Sequence, residues 1–166
     1  LYRIFIVIKS VTNLNKKTMK LKIKLFLVAV LSVFCFYSCS TDDNPVPQVQ
    51  VDFYIHFNNA QYSALQNPGG WVYVTGGYQG IFIYNFNNET YYAFDRACTY
   101  DYHHSPLIYN EKTHCLEHSD TTENCSSKYN VLLQGAVSSG PAKFALREYD
   151  VLVYGGYLRV LNGLGY

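Results

Sequence analysis

The sequence predicts an all-β domain, and three observations carry that prediction. Val51, Phe53, Ile55 and Phe57 alternate with Asp52, Tyr54 and His56, the period of a half-buried strand. Short apolar runs are separated by turn residues at Asn67-Pro68-Gly69-Gly70, Gly76-Gly77, Asn87-Asn88 and Gly155-Gly156. No long helical period follows Cys39.

The elements are expected in the following order. Val51 to Phe57 forms the first strand, and Asn58 to Gly70 a loop. Trp71 to Thr75 is the second strand, Gly80 to Asn85 the third and Tyr91 to Arg96 the fourth. A segment with two cysteine-bearing loops follows, with a short strand after Ser126-Ser127 and a loop at Gly140-Pro141. Tyr149 to Tyr154 and Tyr157 to Leu161 flank Gly155-Gly156. Two glycines between alternating runs predict a hairpin closed by a type I′ turn, which needs positive φ at both central residues. Of the 17 tyrosines, all but Tyr2 and Tyr37 follow Cys39. Their rings suit a pleated, half-wet strand surface better than a carbohydrate platform.

The leading third of the chain is read as an address. Residues 1–18 precede Met19, the only methionine, and are expected to be an upstream extension of the reading frame. Residues 19–38 have the pattern of a secretory signal: Lys20, Lys22 and Lys24, then an apolar run from Leu25 to Tyr37. That run falls short of the about twenty apolar residues a bilayer span needs. Ser38-Cys39 directly after it resembles the bacterial lipobox, although Phe36 stands where leucine is usual. The resemblance implies that Cys39 is lipidated and begins the processed chain, with acyl chains burying about 0.8 kcal/mol per methylene. Ser40 implies the outer membrane, and Asp42-Asp43 display at the cell surface; the domain thus faces the periplasm or the exterior. Residues 39–50, with Pro45 and Pro47, are expected to be an extended, mobile tether, and 51–166 the domain.

Processing reverses the charge balance. The whole chain is +1, but only six of 13 Lys and Arg follow Cys39, against all 12 Asp and Glu, giving −6. A domain of that sign is no partner for nucleic acid, whose phosphates need a basic face.

The segment from Tyr91 to Ala142 resembles the Rieske family. There, two loops at one end of a small β-sandwich or barrel clasp an iron–sulfur cluster and a proline-containing loop covers it. The first loop reads Cys-x-His in the family and Cys98-Thr99-Tyr100 here. The second reads Cys-x-x-His-Gly-Ser-x-Phe in the family and runs from Thr122 through Cys125 to Ser126-Ser127-Lys128-Tyr129 here. The Gly-x-x-x-x-Gly-Pro-Ala scaffold is kept at Gly135, Gly140, Pro141 and Ala142. The resemblance covers roughly 54–162, and AFDRACTYD, SSKY and GAVSSGPA are its most specific parts.

A Rieske cluster takes two thiolates on one iron and two imidazoles on the other. Carried over, Cys98 keeps one thiolate, Tyr100 and Cys125 replace the imidazoles, and Thr122 replaces the second thiolate. The resemblance therefore implies a kept two-loop scaffold that has lost its cofactor. In a second alignment Cys115-Leu116-Glu117-His118 supplies a literal Cys-x-x-His, but Ser119-Asp120-Thr121 follows it rather than the family's continuation.

If the two loops approach as in the family, Cys98 and Cys125 are neighbours. A disulfide between them would staple the vacated site, worth on the order of 3–4 kcal/mol in the chain-entropy picture. Cys98 with Cys115 is the competing pair, and either choice leaves one thiol over. His103, His104, His114 and His118, with Cys115, are candidates for a zinc or copper site, though their spacing matches no compact motif. A nucleophilic Cys–His pair is disfavoured, because His114 and Cys115, adjacent on a strand, face opposite ways.

The function expected from these readings is non-enzymatic: a lipid-anchored envelope module binding a protein or small ligand at its loop end. Two alternatives stand beside it. One is electron transfer by an atypical iron–sulfur centre on Cys98 and Cys125, as in a Rieske-type ferredoxin or oxidoreductase subunit. The other is a His/Cys metal site.

Overall fold

The computed structural model describes residues 43–118 and 126–163. The expected extension, the signal, Cys39, Thr122 and Cys125 lie outside the described residues.

Among the described residues ten strands build two antiparallel sheets. They are β1 (Asp52–His56), β2 (Trp71–Val74), β3 (Ile81–Asn85), β4 (Tyr91–Asp95), β5 (Ile108–Asn110), β6 (Cys115–Glu117), β7 (Lys128–Asn130), β8 (Ala136–Ser139), β9 (Glu148–Tyr154) and β10 (Tyr157–Leu161). The larger sheet has the order β1-β10-β9-β4-β3-β2, and the smaller is a meander, β5-β6-β7-β8. β4 and β9 are hydrogen-bonded neighbours, Ala93 opposite Tyr149, yet the whole smaller sheet lies between them in the chain. The all-β class read from the sequence is the class found.

β3 and β4 are covered on both faces, and every residue in them is buried. Successive side chains in a strand point to opposite faces. Ile81, Ile83, Tyr91 and Ala93 enter one core with Val51, Ile55, Tyr149, Leu158 and Val160. Phe82, Tyr84, Tyr92 and Phe94 enter a second core with Leu107, Leu116 and Tyr129, which joins the two sheets. Trp71, Tyr73 and Tyr109 pack against this second core. Ring centroids of 4.9 Å for Phe82–Tyr109 and for Trp71–Tyr73 are in the range where aromatic pairs attract. Five tyrosines, Tyr73, Tyr84, Tyr92, Tyr109 and Tyr129, thus belong to the seam between the sheets.

Three expectations are corrected. The segment 58–70 is not an open loop but holds a 3-10 helix, Ala60–Gln66, capped by Asn59. Leu65 from that helix is fully buried in the first core, and its carbonyl accepts from Asn85 Nδ2 at 2.8 Å and Tyr91 Oη at 3.1 Å. The stretch 44–49, expected to be free tether, is docked on the domain. Val46 is buried, and Arg147 donates from Nε and Nη2 to its carbonyl at 3.0 and 2.6 Å. Asn44 Nδ2 donates to the Ala145 carbonyl at 3.1 Å, and Asn162 Nδ2 to that of Val49 at 2.9 Å.

The third correction concerns the β9–β10 hairpin. It forms in the expected register, Tyr154 opposite Tyr157. Neither Gly155 nor Gly156 has positive φ, so the reversal is not a type I′ turn. The stack of Tyr154 on Tyr157, 4.6 Å between centroids, and the bond from Phe57 N to the Gly156 carbonyl hold the tip instead. A Cβ on either glycine would meet nothing within 4 Å. Gly156→Ala is therefore expected to change stability by no more than about 0.5 kcal/mol, measured by denaturant unfolding. A loss of several kcal/mol would restore the mirror-turn reading.

Candidate functional site

The site is built outward from Asp95, the last residue of β4. Its carboxylate is fully buried and accepts four hydrogen bonds. Tyr78 N and Tyr149 Oη donate to Oδ2 at 2.5 and 2.8 Å, and Gln79 N and Ala97 N to Oδ1 at 3.1 and 3.0 Å. One side chain thereby ties the β2–β3 turn, β9 and the start of the cysteine loop to a single point. Burial, followed by the Asp95 charge, pushes the Tyr149 phenol well above its usual range, so it stays a donor. Gly77 is required by this packing: its φ is +64°, and a Cβ would fall 2.4 Å from Asp95 Oδ2.

The first loop, residues 96–107, leaves from this anchor. Arg96 N donates to the Gly80 carbonyl, and Leu107 N to the Arg96 carbonyl, closing the loop at its base. Within it Cys98 is buried, with Sγ 3.3 Å from Tyr129 Oη. Thr99 N donates to Tyr129 Oη at 2.9 Å, and Thr99 Oγ1 donates to the Phe144 carbonyl at 2.6 Å. With its own proton so placed, Thr99 Oγ1 accepts from Tyr129 Oη at 3.0 Å. Burial raises the pKa of the Tyr129 phenol, which keeps it neutral and able to donate.

Tyr129 belongs to β7, where strand alternation sets Lys128 outward and Tyr129 inward, beside a register shift that leaves Ser138 of β8 unpaired. Just before it Ser127 is buried, and its Oγ accepts from Ala142 N at 3.0 Å. Gly140 lies flat on the same backbone: φ is +97°, and a Cβ would sit 2.4 Å from Ser127 Cα. Gly135, with φ +69°, abuts Leu146 and Phe94. The three segments AFDRACTYD, SSKY and GAVSSGPA thus converge, joined by Thr99–Tyr129 and Ser127–Ala142, and Thr99 also holds Phe144 just beyond the third.

The remaining candidates fall at separate places. Tyr100 is 54% exposed. His103 Nδ1 is 3.3 Å from Tyr78 Oη, and His104 Nε2 is 3.1 Å from Asp101 Oδ2. His104 and His118 rings meet edge to face, 6.4 Å between centroids. His114 is elsewhere: it sits in the β5–β6 turn at φ +52°, its Nδ1 2.9 Å from Tyr109 Oη. His114 and His118 therefore flank opposite ends of β6, and the four-histidine grouping of the sequence is split. Cys115 opens β6 as a free, buried thiol, with Sγ 3.3 Å from the Thr113 carbonyl, so it is not paired with Cys98. Among the described residues no three His, Cys, Asp or Glu side chains converge to hold a metal.

Sequence reasoning missed Asp95, Thr99, Tyr129 and Tyr149 as the groups that organise the site. A signal existed for Asp95: an acidic residue closing an apolar strand directly before the cysteine loop. Nothing local marks Tyr149 as its partner, 54 residues on.

No family model matches the chain. No curated protein matches it either. Among solved structures it is similar to the ferredoxin of carbazole 1,9a-dioxygenase from Nocardioides aromaticivorans IC177, at 16% identity and a TM-score of 0.44. The match covers 66% of this chain and 98% of that one.

Gly140 gives the direct test of the convergence. Gly140→Ala puts a methyl into the Ser127 backbone at positive φ, and the expected loss is about 2–4 kcal/mol in denaturant unfolding. A loss under about 0.5 kcal/mol would mean that the two loops do not press together as described.

Proposed function

We propose that the chain is a lipid-anchored, exported bacterial protein whose Rieske-like domain has lost its iron–sulfur cluster. It serves in the cell envelope as a non-enzymatic binding or structural module. The observation that carries this reading is the condition of Cys98. A cysteine that ligates a cluster does so as a thiolate open to iron. Cys98 is instead buried, with Sγ 3.3 Å from Tyr129 Oη, and in this reading it is bridged to Cys125. Cys115 is free, which favours Cys125, outside the described residues, as the partner.

The donor set does not fit the family's cluster. At the first imidazole position stands Tyr100, an exposed phenol with no imidazole-like lone pair to offer. The two-sheet arrangement supports kinship of fold: the smaller sheet is inserted between β4 and β9, and three motif segments meet at one end. The anchor rests on the sequence alone, on the apolar run and Ser38-Cys39. No step of electron transfer is assigned to the domain.

One preparation tests this reading. The chain is purified from the membrane fraction without reductant, assayed for iron, zinc, copper and acid-labile sulfide, and mapped by mass spectrometry. Expected are less than about 0.1 metal per chain, a Cys98–Cys125 cross-linked peptide, free Cys115 and a lipid mass on Cys39. Stoichiometric iron and sulfide with charge-transfer absorption would overturn the reading in favour of an atypical cluster. One zinc or copper per chain would favour a His/Cys site.

A further inference from the structure

We propose that Arg96 is the anchor of a binding cleft for a small organic carboxylate, on the β2–β3 side of the first loop. This deepens the binding-module reading and rests on it. An open cleft of about 470 Å³ is lined by Tyr73, Thr75, Gly76, Gly77, Gly80 and Arg96. Val74 and Tyr78 also border it, and three of its lining residues are glycines.

Arg96 is held rigidly within the cleft. Its guanidinium lies over the Tyr73 ring, 3.8 Å from the centroid, and its Nε donates to the Leu107 carbonyl at 2.8 Å. The Tyr73 ring is fixed in turn, since its hydroxyl accepts from Tyr109 N at 2.7 Å. Gly80 lies beside it: a Cβ there would be in ordinary contact, 3.6 Å from Arg96 Nη1. Among the described residues neither Nη1 nor Nη2 has a hydrogen-bond acceptor, and no carboxylate forms an ion pair with them.

The other five cations after Cys39 are accounted for differently. Arg159 pairs with Asp52, Lys128 with Glu117, and Arg147 is spent on the Val46 carbonyl. Lys112 and Lys143 are exposed to water. Arg96 alone combines partial burial with two unengaged terminal nitrogens. Burial, the largest influence on it, lowers its pKa, the sign of a charge taken partly out of water without full compensation.

The ligand class follows from the free edge. With Nε engaged, the guanidinium offers Nη1 and Nη2, a pair of donors that matches two carboxylate oxygens. A dianionic phosphate suits the place less well. Arg96 is a single charge, the Asp95 carboxylate is adjacent in sequence, and the chain after Cys39 is −6. Because guanidinium and ring are already fixed, little side-chain freedom is lost on binding.

The test uses the full-length chain in detergent, ¹⁵N-labelled, titrated with benzoate, with its neutral isostere benzamide, and with inorganic phosphate. Expected are saturable benzoate shifts at the Arg96 Nε–H and at the Gly76, Gly77 and Gly80 amides, none of them saturable with benzamide. Arg96→Gln should weaken benzoate at least tenfold. Thr75→Glu touches none of the Arg96 contacts, and it should do the same by placing a competing carboxylate in the cleft. Equal response to benzamide, tighter binding of phosphate, or unchanged benzoate binding in a folded Thr75→Glu protein would each overturn the proposal. Failure here in metal-free protein leaves the module reading standing, whereas stoichiometric iron removes that reading whatever benzoate does.

Discussion

A single buried carboxylate sets the geometry of the loop end. Asp95 gathers two amides from the β2–β3 turn, one from the cysteine loop and the Tyr149 hydroxyl. An ionised carboxylate without water is tolerated only when its lone pairs are filled by good donors. All four donors must therefore be in place together. Gly77 is the packing consequence, since no other residue leaves room beside Asp95 Oδ2. Tyr149 is the electrostatic consequence, a phenol held protonated by burial and by the charge it serves.

From that point two chains of contact reach the rest of the site. Along the backbone, Ala97, Cys98 and Thr99 are delivered to Tyr129, whose one hydroxyl meets Cys98 and Thr99 together. Through Thr99 Oγ1 the connection passes to Phe144, and through Ser127 to Ala142, so the third loop is drawn over the first two. The frame rests on the seam below it. Phe82, Tyr84, Tyr92 and Phe94 are buried on the far side of β3 and β4 from the larger sheet's own core. In this arrangement the loops are held by hydrogen bonds and packing contributed by the protein itself.

The legible part of this molecule was its strands. Period-two alternation from Val51 and the glycine- and asparagine-marked turns placed the larger sheet within a residue or two, because those signals are local. What was illegible depended on distant partners. The stretch 44–49 looks like linker by composition, and only distant partners, Ala145, Arg147 and Asn162, make it part of the domain. Leu65 lies in a segment with turn chemistry at both ends, and a single 3-10 helix is too short to print a period. Gly155-Gly156 misled in the other direction: the hairpin is there, but tyrosine stacking rather than positive φ closes it. The motif segments were visible as three separate stretches. Asp95 and Tyr129, which bring them together, were visible only as a strand's last residue and an aromatic after Ser-Ser-Lys.

Histidines and cysteines show the same division. Four histidines close in sequence are split by the length of β6, and Cys115 is a buried strand thiol rather than a loop ligand. Cys98 and Tyr129 meet because the alternation of β7 turns this aromatic inward. The central claim is that this end of the domain holds its shape without iron. Native-state amide hydrogen exchange on chelator-treated protein measures that directly, at Tyr78, Gln79 and Thr99, the amides bound to Asp95 and Tyr129. The account predicts protection at these three comparable to that of β3 and β4, and unchanged by added iron and sulfide. Rapid exchange at all three, slowed only when iron and sulfide are supplied, would contradict it.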